Sequence, residues 1–210
     1  MAETMLTIAR RKTTRNFVGA LPEMTAIAEI AKTVMLAPYG GATGIPRDEG
    51  RKVFIFPPNT MARTEAVNLI HGVIRKNAFR LRWLLKCVPW LRRKMRPFSA
   101  RLDTIAAGGI PGFRQATYFV VVAERKGFPP VEKQSLAHAM QNMWLAATDM
   151  GLGFQLVSAT GLMAGNRAFL KPLGLDGGKW ALDGCLIGAG ADPSHGNRET
   201  PTPASYTVIA

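Results

Sequence analysis

The sequence predicts an α+β domain built on a mixed sheet. Two observations carry that prediction: helix-period and strand-like segments are interleaved along the chain, and several of the connections between them are short. A third sets the domain count at one, covering residues 1–210. At 210 residues and 47% hydrophobic content the chain suits a single full core, and no internal repeat or low-complexity stretch divides it.

Met5, Ile8 and Ala9 sit at helical spacing and predict a short first helix. "PEMTAIAEIAKTVMLAP" predicts a second, with Ile27, Ile30, Ala31, Val34 and Met35 on one face, opened by Pro22 and closed by Pro38. After the loop "YGGATGIPRDEG", the run "RKVFIF" is β-branched and aromatic and predicts a strand. Thr60 is a suitable N-cap for "MARTEAVNLIHGVIRK", whose apolar face is Ala66, Leu69, Ile70 and Val73. "ATYFVVVAE" is the clearest buried strand and too short to span a membrane. "PPVEKQSLAHAMQNMWLAATDMGLG" gives the strongest helix, with Leu136, Met140, Met143, Trp144 and Ala147 on one stripe and Gly151 as its stop. "FQLVSA", "WALDGCLIGAG" and the terminal "SYTVIA" complete the predicted strands.

Residues 75–101, "RKNAFRLRWLLKCVPWLRRKMRPFSAR", stand apart as a basic, partly helical insertion. They hold ten cations and no acid, so 10 of the net 13 positive charges fall in 27 residues. Pro89 and Pro97 are expected to break any single long helix here. Arg82 and Lys86 interrupt the apolar run that a transmembrane helix needs. Three readings of the segment stay open: a solvated excursion covering a pocket or subunit interface, a surface for anionic lipid or an acidic protein, and a nucleic-acid surface, the last being the least expected. The first 10 residues lack a basic and then apolar leader, which predicts a cytoplasmic chain that starts there. Cys87 and Cys185 have no disulfide or metal-ligand spacing, in keeping with a reducing compartment.

Motif chemistry is sparse. Neither "GLGF" nor "GAGADPSHG" supplies the full GxGxxG that a dinucleotide fold requires. His71, His138 and His195 are scattered without metal-ligand spacing, so no metal is expected, and no GxSxG elbow marks a nucleophile. What remains is "ARRKTTRNF", where Arg10, Arg11, Lys12 and Arg15 surround two threonines. Guanidinium forks and hydroxyls suit a phosphate monoester, which carries about −1.5 to −2 charges at pH 7. A solvated basic turn is the competing reading of the same residues.

"RRKTTRNF", "LAPYGGATG", "QATYFVVVAE", "LAHAMQNMWLAATDMGLGF" and "LIGAGADP", in this order, resemble the nitroreductase family of FMN-dependent oxidoreductases. The resemblance covers most of the chain outside residues 60–105 and implies a three-layer homodimer with a central mixed sheet flanked by helices. The family's Arg-Arg-Ser-x-Arg-x-Phe motif aligns with Arg11 to Phe17. This implies that Arg11 and Thr13 hold the FMN phosphate, that Lys12 supports them, and that Arg15 approaches the pyrimidine edge of the flavin, where a cation stabilises the reduced form. By the same resemblance Arg198 is a second phosphate ligand. Pro38, Tyr39 and Gly40 fall in the segment that reaches the partner's flavin, with Tyr39 and Ala42 in place of the family's Ser and Asn. Ser158 and Ala159 align with the backbone contacts to the flavin N5.

No protein side chain is then expected to be catalytic. The implied activity is hydride transfer from NADH or NADPH through FMN to an organic acceptor such as a nitroaromatic or quinone. The alternative is a flavin-binding electron-transfer module that docks an acidic redox protein or a membrane through residues 75–101. The apolar stripe at Met140, Met143 and Trp144 needs cover, which a partner subunit could provide, and "SYTVIA" could pair with the partner's sheet.

Overall fold

The structure is a computed structural model that describes residues 3–40 and 44–190. Arg198, Ala42 and "SYTVIA" therefore lie outside the described residues. The chain opens with α1 (Glu3–Arg10) and α2 (Met24–Lys32), the latter running into a 3-10 turn at Thr33–Leu36. A single turn, α3 (Arg47–Gly50), leads into β1 (Arg51–Phe56). Two long helices follow, α4 (Met61–Cys87) and α5 (Pro89–Gly108), and then β2 (Thr117–Arg125), α6 (Glu132–Asp149) and β3 (Leu152–Leu156). A 3-10 segment at Ser158–Gly165 and the short α7 (Arg167–Leu170) precede β4 (Trp180–Ala189).

The four strands form one sheet in the order β1-β2-β4-β3. Every hydrogen-bonded pair of strands is antiparallel, so the mixed sheet expected from sequence is corrected in detail. The physical reason lies in β4. The unit β2–α6–β3 is a parallel crossover, but β4 inserts between its two strands and turns each contact antiparallel. Among the described residues, parallel pairing survives only at an isolated bridge between Thr13 and Phe154.

Strand periodicity explains the layers. Phe119, Val121 and Ala123 of β2 join one core cluster, while Tyr118, Val120 and Val122 join the other. β4 divides likewise, with Leu182 and Leu186 on one side and Ala181, Cys185 and Ile187 on the other. Alternate residues buried on both faces place the sheet between two apolar layers. One layer contains α4 through Ala66, Ile70 and Ile74; the other contains α2 through Ile27 and Ile30, and α6. The α6 stripe is covered within its own chain: Leu136, Met140, Met143 and Ala147 are buried beside Ile27, Ile30 and Val34. Cover from a partner, expected from sequence, is not needed for Met140 and Met143.

The basic segment is almost wholly helical rather than a partial excursion. α4 starts where Thr60 accepts from the Arg63 N–H at 3.3 Å, and it continues to Cys87, where Val88 (φ −128°, ψ 80°) turns the chain into α5. Pro89 begins the second helix, as a proline at a helix start can. Pro97 does not break α5. Both Pro97 and Arg93, whose carbonyl loses its helical donor, are exposed, so water can satisfy that carbonyl.

Candidate functional site

The N-terminal cationic stretch leaves α1 and runs as an extended segment against the free edge of β3. Thr13 bridges Phe154, and the Thr14 N–H donates to the Phe154 carbonyl at 2.9 Å. Close approach requires Gly153, because a Cβ there would stand 2.8 Å from Thr14 Cγ2. Further along, the Phe17 N–H donates to Gln115 Oε1 at 2.7 Å, and Gln115 Nε2 donates to Asn16 Oδ1 at 2.8 Å. The segment is thus pinned at both ends.

Trp144 of α6 forms the floor. Its ring stacks on Phe154 with centroids 5.1 Å apart, its Nε1 donates to the Lys12 carbonyl at 3.1 Å, and the Arg11 guanidinium lies 4.3 Å above it. Arg11 Nε and Lys12 Nζ are both buried, and neither has a hydrogen-bond partner among the described residues. A buried donor nitrogen on a cation is costly to leave without a hydrogen-bond partner, so two such nitrogens on consecutive residues call for an anion. Together with the half-buried Thr13 hydroxyl, this donor set fits a phosphate. Arg15 lies exposed beyond the cluster.

Pro38, Tyr39 and Gly40 are held elsewhere. Arg51 opens β1 with its side chain fully buried and donates from Nε to Glu124 Oε2 at 2.8 Å, from Nη1 to the Val34 carbonyl at 2.7 Å, and from Nη2 to the Pro38 carbonyl at 2.7 Å. Ser135 Oγ lies 2.9 Å from both the Pro38 carbonyl and Glu124 Oε2, and the Gly40 N–H donates to it at 3.3 Å. Tyr39 packs inward: its ring lies 5.4 Å from the Arg51 guanidinium, and its hydroxyl abuts Gly50, where a Cβ would collide with it.

α6 measures the separation between the two groups. Ser135 anchors the Pro38–Gly40 segment and Trp144 anchors Lys12, and nine residues of helix span about 14 Å. The structure therefore does not bring Pro38, Tyr39 and Gly40 together with Arg11, Lys12 and Thr13 in one chain. Ser158 and Ala159 stand on the cationic side. They follow the end of β3, where the Val157 N–H donates to the Gly184 carbonyl at 2.7 Å, on the edge strand that carries Thr13. A molecule with a phosphate tail and a flat ring system can run from the cations along that edge.

Sequence reasoning missed Arg51, Glu124 and Ser135, although a carboxylate closing the apolar run "ATYFVVVAE" was a signal. Trp144 was read only as part of an apolar stripe. Asp183 in β4 was also missed: burial pushes its carboxyl up to about 6, against a smaller opposing effect of the Gly184 N–H that donates to Oδ1 at 2.8 Å. Burial, and then the Asp183 charge, raise the neighbouring Cys185 thiol. Among the described residues no group of three or more His, Cys, Asp or Glu is placed to hold a metal ion.

Comparison with known proteins points in one direction. The family model described as "Nitroreductase family" matches residues 8–191. A nitroreductase with bound FMN from Bacteroides fragilis NCTC 9343 superposes with a TM-score of 0.70 at 18% identity, over 100% of both chains. Another with bound FMN, from Desulfitobacterium hafniense DCB-2, gives 0.68 at 20% identity over 99% of this chain and 100% of its own. Oxidised iodotyrosine deiodinase bound to FMN and 3-iodo-L-tyrosine gives 0.65 at 16% identity over 98% and 100%. No curated protein matches the sequence.

Proposed function

The chain belongs to the nitroreductase family, and on that premise we propose that it is an FMN-dependent oxidoreductase moving two electrons from NADH or NADPH to an organic acceptor such as a nitroaromatic or quinone. The observation that carries this reading is the pair of buried, unpartnered cations, Arg11 Nε and Lys12 Nζ, beside Thr13. When bound, FMN would supply the redox chemistry, the capacity to accept and donate a hydride, that the side chains lack. The protein's part is to bind and to tune. Arg11, Lys12 and Thr13 would hold the phosphate, Arg15 would place positive charge near the ring edge where reduction adds electron density, and backbone at Ser158 and Ala159 would orient the ring. Arg198 is proposed as a further phosphate ligand by resemblance.

We propose a homodimer as well. The Pro38–Gly40 segment is tied to β1 at one edge of the sheet and the cationic cluster lies beyond β3 at the other, an arrangement that suits a flavin held by one chain's cluster and met by the Pro38–Gly40 segment of its partner.

The test is the visible spectrum of protein purified with FMN supplied, followed by anaerobic addition of NADH or NADPH. Flavin bands that co-purify and bleach with either nucleotide are expected. Bands that persist would remove nicotinamide as the donor, and absence of flavin would remove the cofactor assignment.

A further inference from the structure

The α4–α5 hairpin carries features that flavin binding does not use. Between Phe79 and Arg101, Leu85 alone is buried among the described side chains, and the core contacts of α5 begin at Leu102. Its far half therefore stands clear of the core, reaching about 15 Å beyond Ala78. Polar residues would be expected on such a limb. Instead Trp83 is 63% exposed and Trp90 77%, on either side of the Val88 joint, with Phe79, Leu84 and Phe98 exposed nearby.

The charges are arranged around these apolar groups. Lys76, Phe79, Arg80, Trp83 and Lys86 recur three or four residues apart and are all exposed, so they form one stripe on α4. On α5, Arg92, Arg93, Lys94 and Arg96 follow Trp90, again all exposed. A cleft of about 430 Å³ between the helices is lined by Arg75, Lys76, Arg82 and Phe79, with Asp103 at its side 3.6 Å from Arg82 Nε. No acid lies between residues 75 and 101.

Charge and side-chain type together select the occupant. A second copy packed isologously on this face would set ten cations against ten. Nucleic acid would answer the charge, and its bases could stack on the tryptophans, but it offers no apolar layer to Leu84; an acidic protein surface would answer the charge alone. A bilayer with anionic headgroups answers both: phosphates meet the cations, and indole rings with an apolar body and one N–H settle at the boundary between headgroups and acyl chains. Among the described residues no helix is long and apolar enough to cross a membrane, so attachment would be at the surface.

We propose that the α4–α5 hairpin docks this protein onto an anionic bilayer surface, with Trp83, Leu84 and Trp90 entering the headgroup boundary and the flanking Lys and Arg side chains contacting lipid phosphate. The docking site is separate from the cationic cluster at Arg11 and does not depend on flavin. The full chain should float with phosphatidylcholine vesicles containing phosphatidylglycerol and stay behind with phosphatidylcholine alone. Added salt should weaken binding, and tryptophan emission should shift to the blue on binding.

Two variants at exposed positions divide the contributions. Trp83→Ala with Trp90→Ala should lower partitioning about tenfold or more. Arg92→Gln, Arg93→Gln and Lys94→Gln together should lower it on the order of a hundredfold, since each cation at an anionic surface is worth about fivefold. Both should keep the native circular dichroism and melting temperature. Failure of the native chain to bind anionic vesicles overturns the proposal. So does adsorption that the double tryptophan variant retains in full, binding of DNA in place of vesicles, or self-association that the same variant abolishes.

Discussion

At the scale of single residues, Arg11 and Lys12 present buried donors in want of an anion, and that makes their contribution to ligand binding measurable apart from turnover. Replacing Lys12 by Met keeps the stem that packs there and removes the charge, so the fold should persist while FMN binding weakens by about 1.5–3 kcal/mol, the range for a charged hydrogen bond. Fluorescence titration of FMN reads this directly; unchanged affinity would remove Lys12 from the phosphate site. Asp183 permits a second residue-level prediction. Its carboxyl is raised from 3.8 to about 6 in the fold, so it favours folding below pH 4 and that contribution is lost as pH rises through 6. The loss is at most about 3 kcal/mol and smaller after solvent screening. Asp183→Asn escapes it, and the variant's melting temperature should exceed the parent's by a margin that grows from pH 4 to pH 8. A margin independent of pH would contradict the burial argument.

At the scale of elements, the strands were legible because both faces of β2 and β4 are buried, which writes a continuous β-branched and aromatic run into β2 and a mostly apolar run, broken at Asp183 and Gly184, into β4. The end of α4 was not legible. Helix period persists through residues 75–87, but few of those positions are buried, and Pro97 suggested a break that an exposed carbonyl makes tolerable. Pro97→Ala should therefore strengthen α5, at a position where proline costs a helix up to about 3 kcal/mol relative to alanine. Slower amide exchange across residues 93–101 would report it, and exchange that stays the same or quickens would mean α5 is not continuous there. The Arg51, Glu124 and Ser135 network was hidden for another reason: Arg51 and Glu124 are 73 positions apart in sequence and meet only because β1 pairs with β2 in this register. Glu124→Ala leaves Arg51 buried without its counterion and should cost about 3–5 kcal/mol. A chemical denaturation midpoint close to the parent's would show that the carbonyls of Val34, Ala37 and Pro38 suffice.

At the scale of the whole molecule, the sequence offers ten site residues with no division among them, and the fold separates the nine that lie among the described residues into two groups. The cationic cluster lies beyond β3 at one edge of the sheet, while Pro38–Gly40 is tied to β1 at the other. No pattern in one sequence distinguishes residues that meet within a chain from residues that meet across a two-fold axis. Mixed dimers make the distinction. Arg11→Ala with Lys12→Ala disables the cluster, and Gly40→Val disables the other segment, because a Cβ at Gly40 already comes within 2.7 Å of Val131 Cγ2. Neither variant alone should hold flavin. If each site draws on two chains, a dimer of one variant with the other has one site bearing both defects and one bearing none. Random mixing makes half of the dimers mixed and half of their sites intact, so about one quarter of the parental flavin content should return on unfolding and refolding the two together. If each site belonged to a single chain, every site in the mixture would carry a defect and no flavin would return.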